Sequence, residues 1–101
     1  MEQIVGTRDP DLLLIRGHCA LKLGDSERAR QAFEKARTIN PQDANATWGL
    51  AQVAVAEQKV HEARSRLRRL ITSYPNDRRV ADWRDKLAQI QTLSHDEHPI
   101  G

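Results

Sequence analysis

Identical residues recur 34 positions apart along this chain. The aspartates at 9, 43 and 77 and the alanines at 20, 54 and 88 follow this spacing, as do the pairs Ala29/Ala63, Arg30/Arg64 and Pro41/Pro75. A period of 34 residues predicts a repeat in which each unit is a pair of helices. Such units stack in one dimension, so we expect an extended surface for binding other proteins rather than a catalytic cleft.

Caps and helix breakers divide the sequence into five predicted helices. Asp9, Asp43 and Asp77 are placed to cap the first, third and fifth helices, and Asp25 or Ser26 to cap the second. Gly24 and the Asn40-Pro41 pair are placed to end the first two. The expected spans are about 11–23, 26–39, 44–58, 60–73 and 78–93.

The recurring residues resemble the signature of the tetratricopeptide repeat family. In the first copy the matching residues are Leu13, Arg16, Gly17, Ala20, Ala29, Phe33, Ala36 and Pro41. In the second they are Thr47, Leu50, Ala51, Ala54, Ala63, Leu67, Leu70 and Pro75. The second copy departs from the family at Trp48, one residue later than the family's Trp, and at Gln58, which replaces the glycine found at Gly24.

The resemblance implies an all-α fold, a right-handed α-solenoid of two tetratricopeptide-like helix pairs plus a C-terminal capping helix. Residues 9–42 would form the first repeat, 43–76 the second and 77–93 the cap. Residues 1–8 would be an extension or the remnant of a preceding segment, and 94–101 a disordered tail. Val80, Trp83, Leu87 and Ile90 lie on one stripe of the last helix, which predicts that this helix covers the end of the second repeat.

Composition is consistent with one small helical domain. At 101 residues there is room for a single core. No apolar run approaches the roughly 20 residues that cross a membrane, and the N-terminus lacks the features of a signal peptide, so we expect a cytoplasmic protein. The single cysteine, Cys19, lies among mostly apolar neighbours and is expected to be a buried structural thiol.

In the tetratricopeptide family the first helix of each pair lines the inner, concave face. Transferred to this sequence, that rule defines an inner groove that would hold a peptide or helix of a partner protein. Trp48 is its strongest candidate for a binding hot spot, although a shift of one helical position would place it in the core instead. The inner groove comprises Asp11, Leu14, His18, Leu21, Lys22, Asn45, Trp48, Gln52, Val55 and Arg79.

A second class of function is self-assembly. Leu12, Ile15 and Cys19 on the first helix have no preceding repeat to cover them. They are therefore candidates for a homodimer contact or for a junction to further repeats.

Other functions find less support in the sequence. The carboxylate clamp of chaperone-binding family members is retained only at Arg79. Nucleic acid is an improbable partner, because the basic side chains of the fourth helix and the turn after it are spread around the helix without interleaved aromatics; they are Arg64, Arg66, Arg68, Arg69, Arg78 and Arg79. We expect no enzyme activity, cofactor or metal, since His95-Asp96-Glu97-His98 is a polar tail without a second set of ligands.

Overall fold

The computed structural model describes residues 9–96, and side chains as far as Ile90. Over this range the chain forms helices joined by short turns and no strand, which confirms the predicted all-α fold. The helices are α1 (Pro10–Lys22), α2 (Ser26–Ile39), α3 (Ala44–Ala56), α4 (Val60–Ser73) and α5 (Val80–Asp96). The predicted extension at residues 1–8 and the end of the predicted tail, 97–101, lie outside the described residues.

Aspartate side chains begin the first three helices, as predicted. A side-chain oxygen of Asp9 accepts the amide N–H of Asp11, and Asp43 does the same for Asn45. Asp25, rather than Ser26, caps α2 by accepting the amide of Arg28. These bonds satisfy amides that have no partner inside the helix, which fixes where each helix begins.

The fifth helix differs from its predicted span at both ends. Arg78 and Arg79 form a turn, and α5 begins at Val80, whose amide bonds to the carbonyl of Asp77. The helix continues to Asp96 rather than ending near Leu93. Its end follows from the sequence, because no helix breaker occurs after Leu93 until Pro99.

The turns within the two helix pairs share one backbone conformation. Gly24 ends α1 with φ of 82°, and Gln58, one period later, has φ of 62°. Both values lie in the left-handed region that favours glycine. The departure from the family pattern at Gln58 therefore preserves the geometry of the turn and places a side chain where it is strained.

Neighbouring helices pack in sequence order, α1 on α2, α2 on α3, α3 on α4 and α4 on α5, and α1 also touches α3. The buried side chains form two clusters, and α3 contributes to both. The first cluster comprises Leu13, Leu14, Ala29, Phe33, Ala36, Ala46, Leu50 and Val53. The second comprises Ala44, Ala51, Ala54, Ala63, Leu67, Leu70, Trp83 and Ile90.

The junction between the two repeats is built around the ring of Phe33, which is fully buried. A Cβ atom added at Gly17 of α1 would lie 2.6 Å from the ring, and one added at Gly49 of α3 would also collide with it. The ring is therefore held between two helices that approach closely because both carry glycine at the contact.

The junction between the second repeat and α5 is filled by side chains of different sizes at the equivalent positions. The positions one period after Gly17, Phe33 and Gly49 are Ala51, Leu67 and Trp83, all of them fully buried. Trp83 and Ile90 of α5 pack in the same cluster as Leu67 and Leu70, and Val80 and Leu87 pack against its edge. The predicted stripe of α5 thus covers the end of the second repeat.

Candidate protein-binding surface

Asp11, Asn45 and Arg79 are equivalent positions, each two residues after the aspartate that begins its unit. We call these three positions the row. The amide of each is accepted by the aspartate two residues earlier, at 3.0, 2.9 and 2.8 Å. The same local capping bond therefore places each side chain at the same point of its unit. Arg79 Nη1 also donates to Asn45 Oδ1, which joins the second and third members of the row directly.

Arg79 is held by its neighbours on three sides. Its Nε and Nη2 donate to the two carboxylate oxygens of Asp77, each at 3.0 Å. Its guanidinium also lies 5.2 Å from the centre of the Trp83 ring, a cation–π distance. The hydrogen bonds from the side chain and amide of Arg79 lower the pKa of Asp77 to about 2. In this structure the fork therefore binds a carboxylate of its own chain.

Trp48 lies at the margin of the core. Its ring is half-buried and packs against the second cluster, 6.4 Å from the ring of Trp83 with the two planes tilted by 55°. Trp83 is fully buried and meets Tyr74 edge-on at 6.4 Å. Trp48 therefore has both properties that the sequence left as alternatives, one part of the ring packing on the core and the remainder reaching the surface.

Leu14 departs from its predicted place. It is 8 % exposed and belongs to the first core cluster, because α1 turns this side chain toward α2 and α3. It is therefore a core residue rather than an accessible groove residue. The apolar surface that remains accessible comes from Leu21, Trp48 and Val55, which are half-buried.

The polar members of the inner groove differ in exposure. Asp11, Lys22 and Asn45 are exposed, and Gln52 is half-buried. His18 is exposed at one edge while its ring meets Phe33 at 5.0 Å, edge to face. Partial burial, followed by the charge of Lys22, lowers the pKa of His18, which favours the neutral imidazole.

The structure corrects the interpretation of Cys19. Its side chain is exposed and not a buried thiol. Leu12 and Ile15, on the same side of α1, are 49 % and 58 % exposed. The physical reason is that within the described residues no helix packs on this face of α1.

A set of ion pairs between the two repeats was not predicted. Arg30 of α2 donates to Glu57 at 2.8 Å and to both oxygens of Glu62 at 2.8 and 3.0 Å. Arg66 donates to Glu62 at 2.9 Å. The bond from Arg30 is the largest cause that lowers the pKa of Glu62 to about 2. Glu57 and Glu62 follow Arg30 by 27 and 32 residues, which is close to one repeat. Only the stacking of one repeat on the next, indicated by the 34-residue period, could have suggested that these groups meet.

Metal sites and membrane-spanning helices are absent from the described part of the chain. Among the described side chains, no three or more His, Cys, Asp or Glu residues are grouped to hold a metal ion. The side chains of His95 to His98 lie outside that range. None of the helices described here is long and apolar enough to cross a membrane.

Comparison with known proteins gives one match. The family model described as Tetratricopeptide repeat matches residues 18–90, which contain most of both helix pairs and the buried part of α5. No curated protein and no solved structure shows significant similarity. Repeats of the matched family generally mediate protein–protein interaction and are typically non-catalytic. With 34-residue helix pairs stacked in order and a match over more than half of its length, the chain belongs to the tetratricopeptide repeat family.

Proposed function

We propose that the chain is a binding module whose inner groove holds a short segment of a partner protein. The observation that carries the proposal is the row Asp11, Asn45 and Arg79, with its direct bond between units. This row supports a continuous surface along the first helices. Trp48 next to it offers an aromatic face whose loss of water on binding would be favourable, as at protein interaction hot spots.

The same geometry favours an internal segment of the partner over its C-terminus. The Arg79 fork is engaged by Asp77 and Asn45. The strip formed by Leu21, Trp48 and Val55 suits apolar side chains spaced along an extended peptide or one face of a helix. Duplex nucleic acid is not an expected ligand, since Arg66 is paired with Glu62 and Glu34.

A displayed peptide library selected against the purified chain tests this proposal. Selected peptides should perturb the backbone resonances of α1 and α3, and Trp48→Gln or Val55→Glu should weaken binding at least about tenfold. Arg69→Glu is the matched control, because Arg69 is exposed on α4, and binding should survive it. Each variant is first shown by circular dichroism to be helical. Perturbations confined to α2 and α4 would contradict groove binding.

A second candidate function is self-assembly through the N-terminal end of the stack. It is favoured by one observation, the exposure of Leu12, Ile15 and Cys19 on α1. The corresponding positions of α3, Ala46, Gly49 and Val53, are buried. The two sets of residues share no member, although Asp11/Leu12, Leu14/Ile15 and His18/Cys19 are neighbours in sequence.

A further inference from the structure

An apolar stripe runs along the uncovered side of α1. We define the N-terminal face as Leu12, Ile15, Cys19 and Leu23. Leu12, Ile15 and Leu23 are 49 %, 58 % and 84 % exposed, and Cys19 is exposed as well. Their spacing of three and four residues places them along one side of the helix. Beside them lies an open depression of about 1060 Å³, whose α1 side includes Ile15, Cys19 and Leu23 and whose α2 side is mostly polar. Contiguous apolar surface of this kind marks an interaction site.

The internal repeat indicates which positions would ordinarily be covered. One period after Leu12, Ile15 and Cys19 are Ala46, Gly49 and Val53 of α3, and all three are buried where α2 packs on α3. The N-terminal face is thus the exposed counterpart of an interface that exists inside the same molecule.

The covering element cannot be a helix like α2. The ring of Phe33 lies so close to Gly49 that even a Cβ there would collide with it. Ile15 occupies the corresponding position in α1 and adds four side-chain carbons at that point. A helix presenting a bulky ring as α2 does is therefore excluded by volume.

The opposite end of a second copy is also a poor match. The outer side of α5 exposes Ala81, Arg84, Asp85 and Ala88. Head-to-tail stacking would remove Arg84 and Asp85 from water against Leu12 and Ile15 without giving them new partners, which is unfavourable. The apolar character of the N-terminal face is matched instead by another copy of itself.

Charge at the edge of this face sets the direction of that pairing. Asp11 and Lys22 are both exposed and eleven residues apart, which places them about 20° apart around α1 and about 16 Å apart along it. An antiparallel second α1 brings Asp11 of each copy toward Lys22 of the other, whereas a parallel one places these charged edges on opposite sides of the interface, where they gain no partner. We infer that two copies associate through their N-terminal faces, with the α1 helices antiparallel about a two-fold axis. This inference rests on the second function proposed above and specifies its geometry.

Sedimentation equilibrium of the full chain tests the dimer. The mass should rise with concentration from 11.5 kDa toward twice that value. Ile15→Glu should weaken the dimer at least about 30-fold, because the variant loses two buried isoleucines per dimer. Ala81→Glu is the control, since Ala81 is exposed on α5, which packs on α4 and not on α1, and it should leave the dimer intact. A native chain that stays monomeric, or a dimer that tolerates Ile15→Glu, would overturn the inference.

A charge exchange tests the antiparallel arrangement independently. Asp11→Lys alone places lysine against Lys22, and Lys22→Asp alone places aspartate against Asp11, so each variant should dimerise about tenfold more weakly. Mixed one to one, the two variants restore opposite charges at both contacts and should form a mixed dimer of near-native affinity. The difference in affinity between the mixed dimer and each variant alone should shrink at high salt. A mixture no stronger than either variant would refute the arrangement. These exposed positions carry the test even if Ile15→Glu fails to fold.

The outcome is separable from that of the inner groove. Trp48→Gln should leave the sedimentation result unchanged, and Ile15→Glu, which lies outside the inner groove, should leave peptide binding unchanged. A failure of peptide selection with a normal dimer would count against the groove alone. Peptide binding by a chain that is monomeric at all concentrations would count against the dimer alone.

Discussion

Replacing Gly17 with alanine is a sharp test of the packing between α1 and α2. In a helix interior alanine is favoured over glycine by about 1 kcal/mol, so an unobstructed site would become more stable. Here the new Cβ would lie 2.6 Å from Cε1 and Cζ of Phe33 and 2.8 Å from Cε2. The ring is fully buried and has Gly49 on its other side, so it cannot withdraw.

The net effect follows from these two opposing terms. Overpacking a well-packed core typically costs about 1–3 kcal/mol. Subtracting the helix-propensity gain leaves an expected loss of about 1 kcal/mol in the free energy of unfolding.

The second repeat shows how to remove the obstruction. It has Ala51 and Leu67 at the positions of Gly17 and Phe33, both fully buried. In a Phe33→Leu background the three ring atoms that approach Gly17 are absent, so Gly17→Ala should become stabilising by about 1 kcal/mol. The change of sign corresponds to a coupling energy of about 2 kcal/mol in the double-mutant cycle.

Urea unfolding of the four proteins, followed by helical circular dichroism, measures each free energy provided the m-values agree. Gly49→Ala is an internal control, because its Cβ would also meet Cδ1 of Phe33. Leucine retains an atom at that position, so the coupling at Gly49 should be smaller. If Gly17→Ala stabilises the native chain as much as the Phe33→Leu chain, the ring adjusts freely and our reasoning is wrong.

Two further changes test the turns and the ion pairs. Gln58→Gly should raise the free energy of unfolding by up to about 1 kcal/mol by relieving a left-handed residue, whereas Gly24→Gln should lower it by about 1 kcal/mol, both read from urea midpoints; equal midpoints would contradict the strain argument. Glu62→Gln should lower stability at neutral pH by about 1–2 kcal/mol, and Glu27→Gln, an exposed first-turn control, should have little effect. Because folding lowers the pKa of Glu62 to about 2, its stabilisation is present above about pH 4.5 and is lost as pH falls toward 2. Across this range the melting temperature should therefore change less with pH in Glu62→Gln than in the native chain.

Local features of the fold could be predicted from the sequence because their causes lie within a few residues. Asp9 and Asp43 cap the helices that they precede, since the amide each accepts is two residues away. The period of 34 then placed Leu67 and Trp83 at a junction, because equivalent positions in a stack have equivalent neighbours.

The predictions that failed concern which side chains are buried by a neighbouring helix. The apolar neighbours of Cys19 indicated burial, but burial depends on a packing helix that the described chain does not place there. Leu14 lies in the core rather than in the groove, whereas Trp48 packs on the core with part of its ring exposed. One helical step rotates a side chain by about 100°, so small differences in helix placement decide between core and groove. The bonds from Arg30 to Glu57 and Glu62 join groups about one repeat apart, and no local pattern of charges indicates such a contact.

The unequal filling of the two junctions means that the order of the units is fixed by their cores. If 43–76 were deleted and the cap joined to residue 42, Phe33 would face Trp83, two large rings in a space that now holds one ring and a glycine. If the same unit were duplicated, Leu67 would face Gly49 and leave a void. The number of repeats in this chain therefore cannot grow or shrink by whole units without a compensating change at these contacts, although each unit has the same length and the same helices.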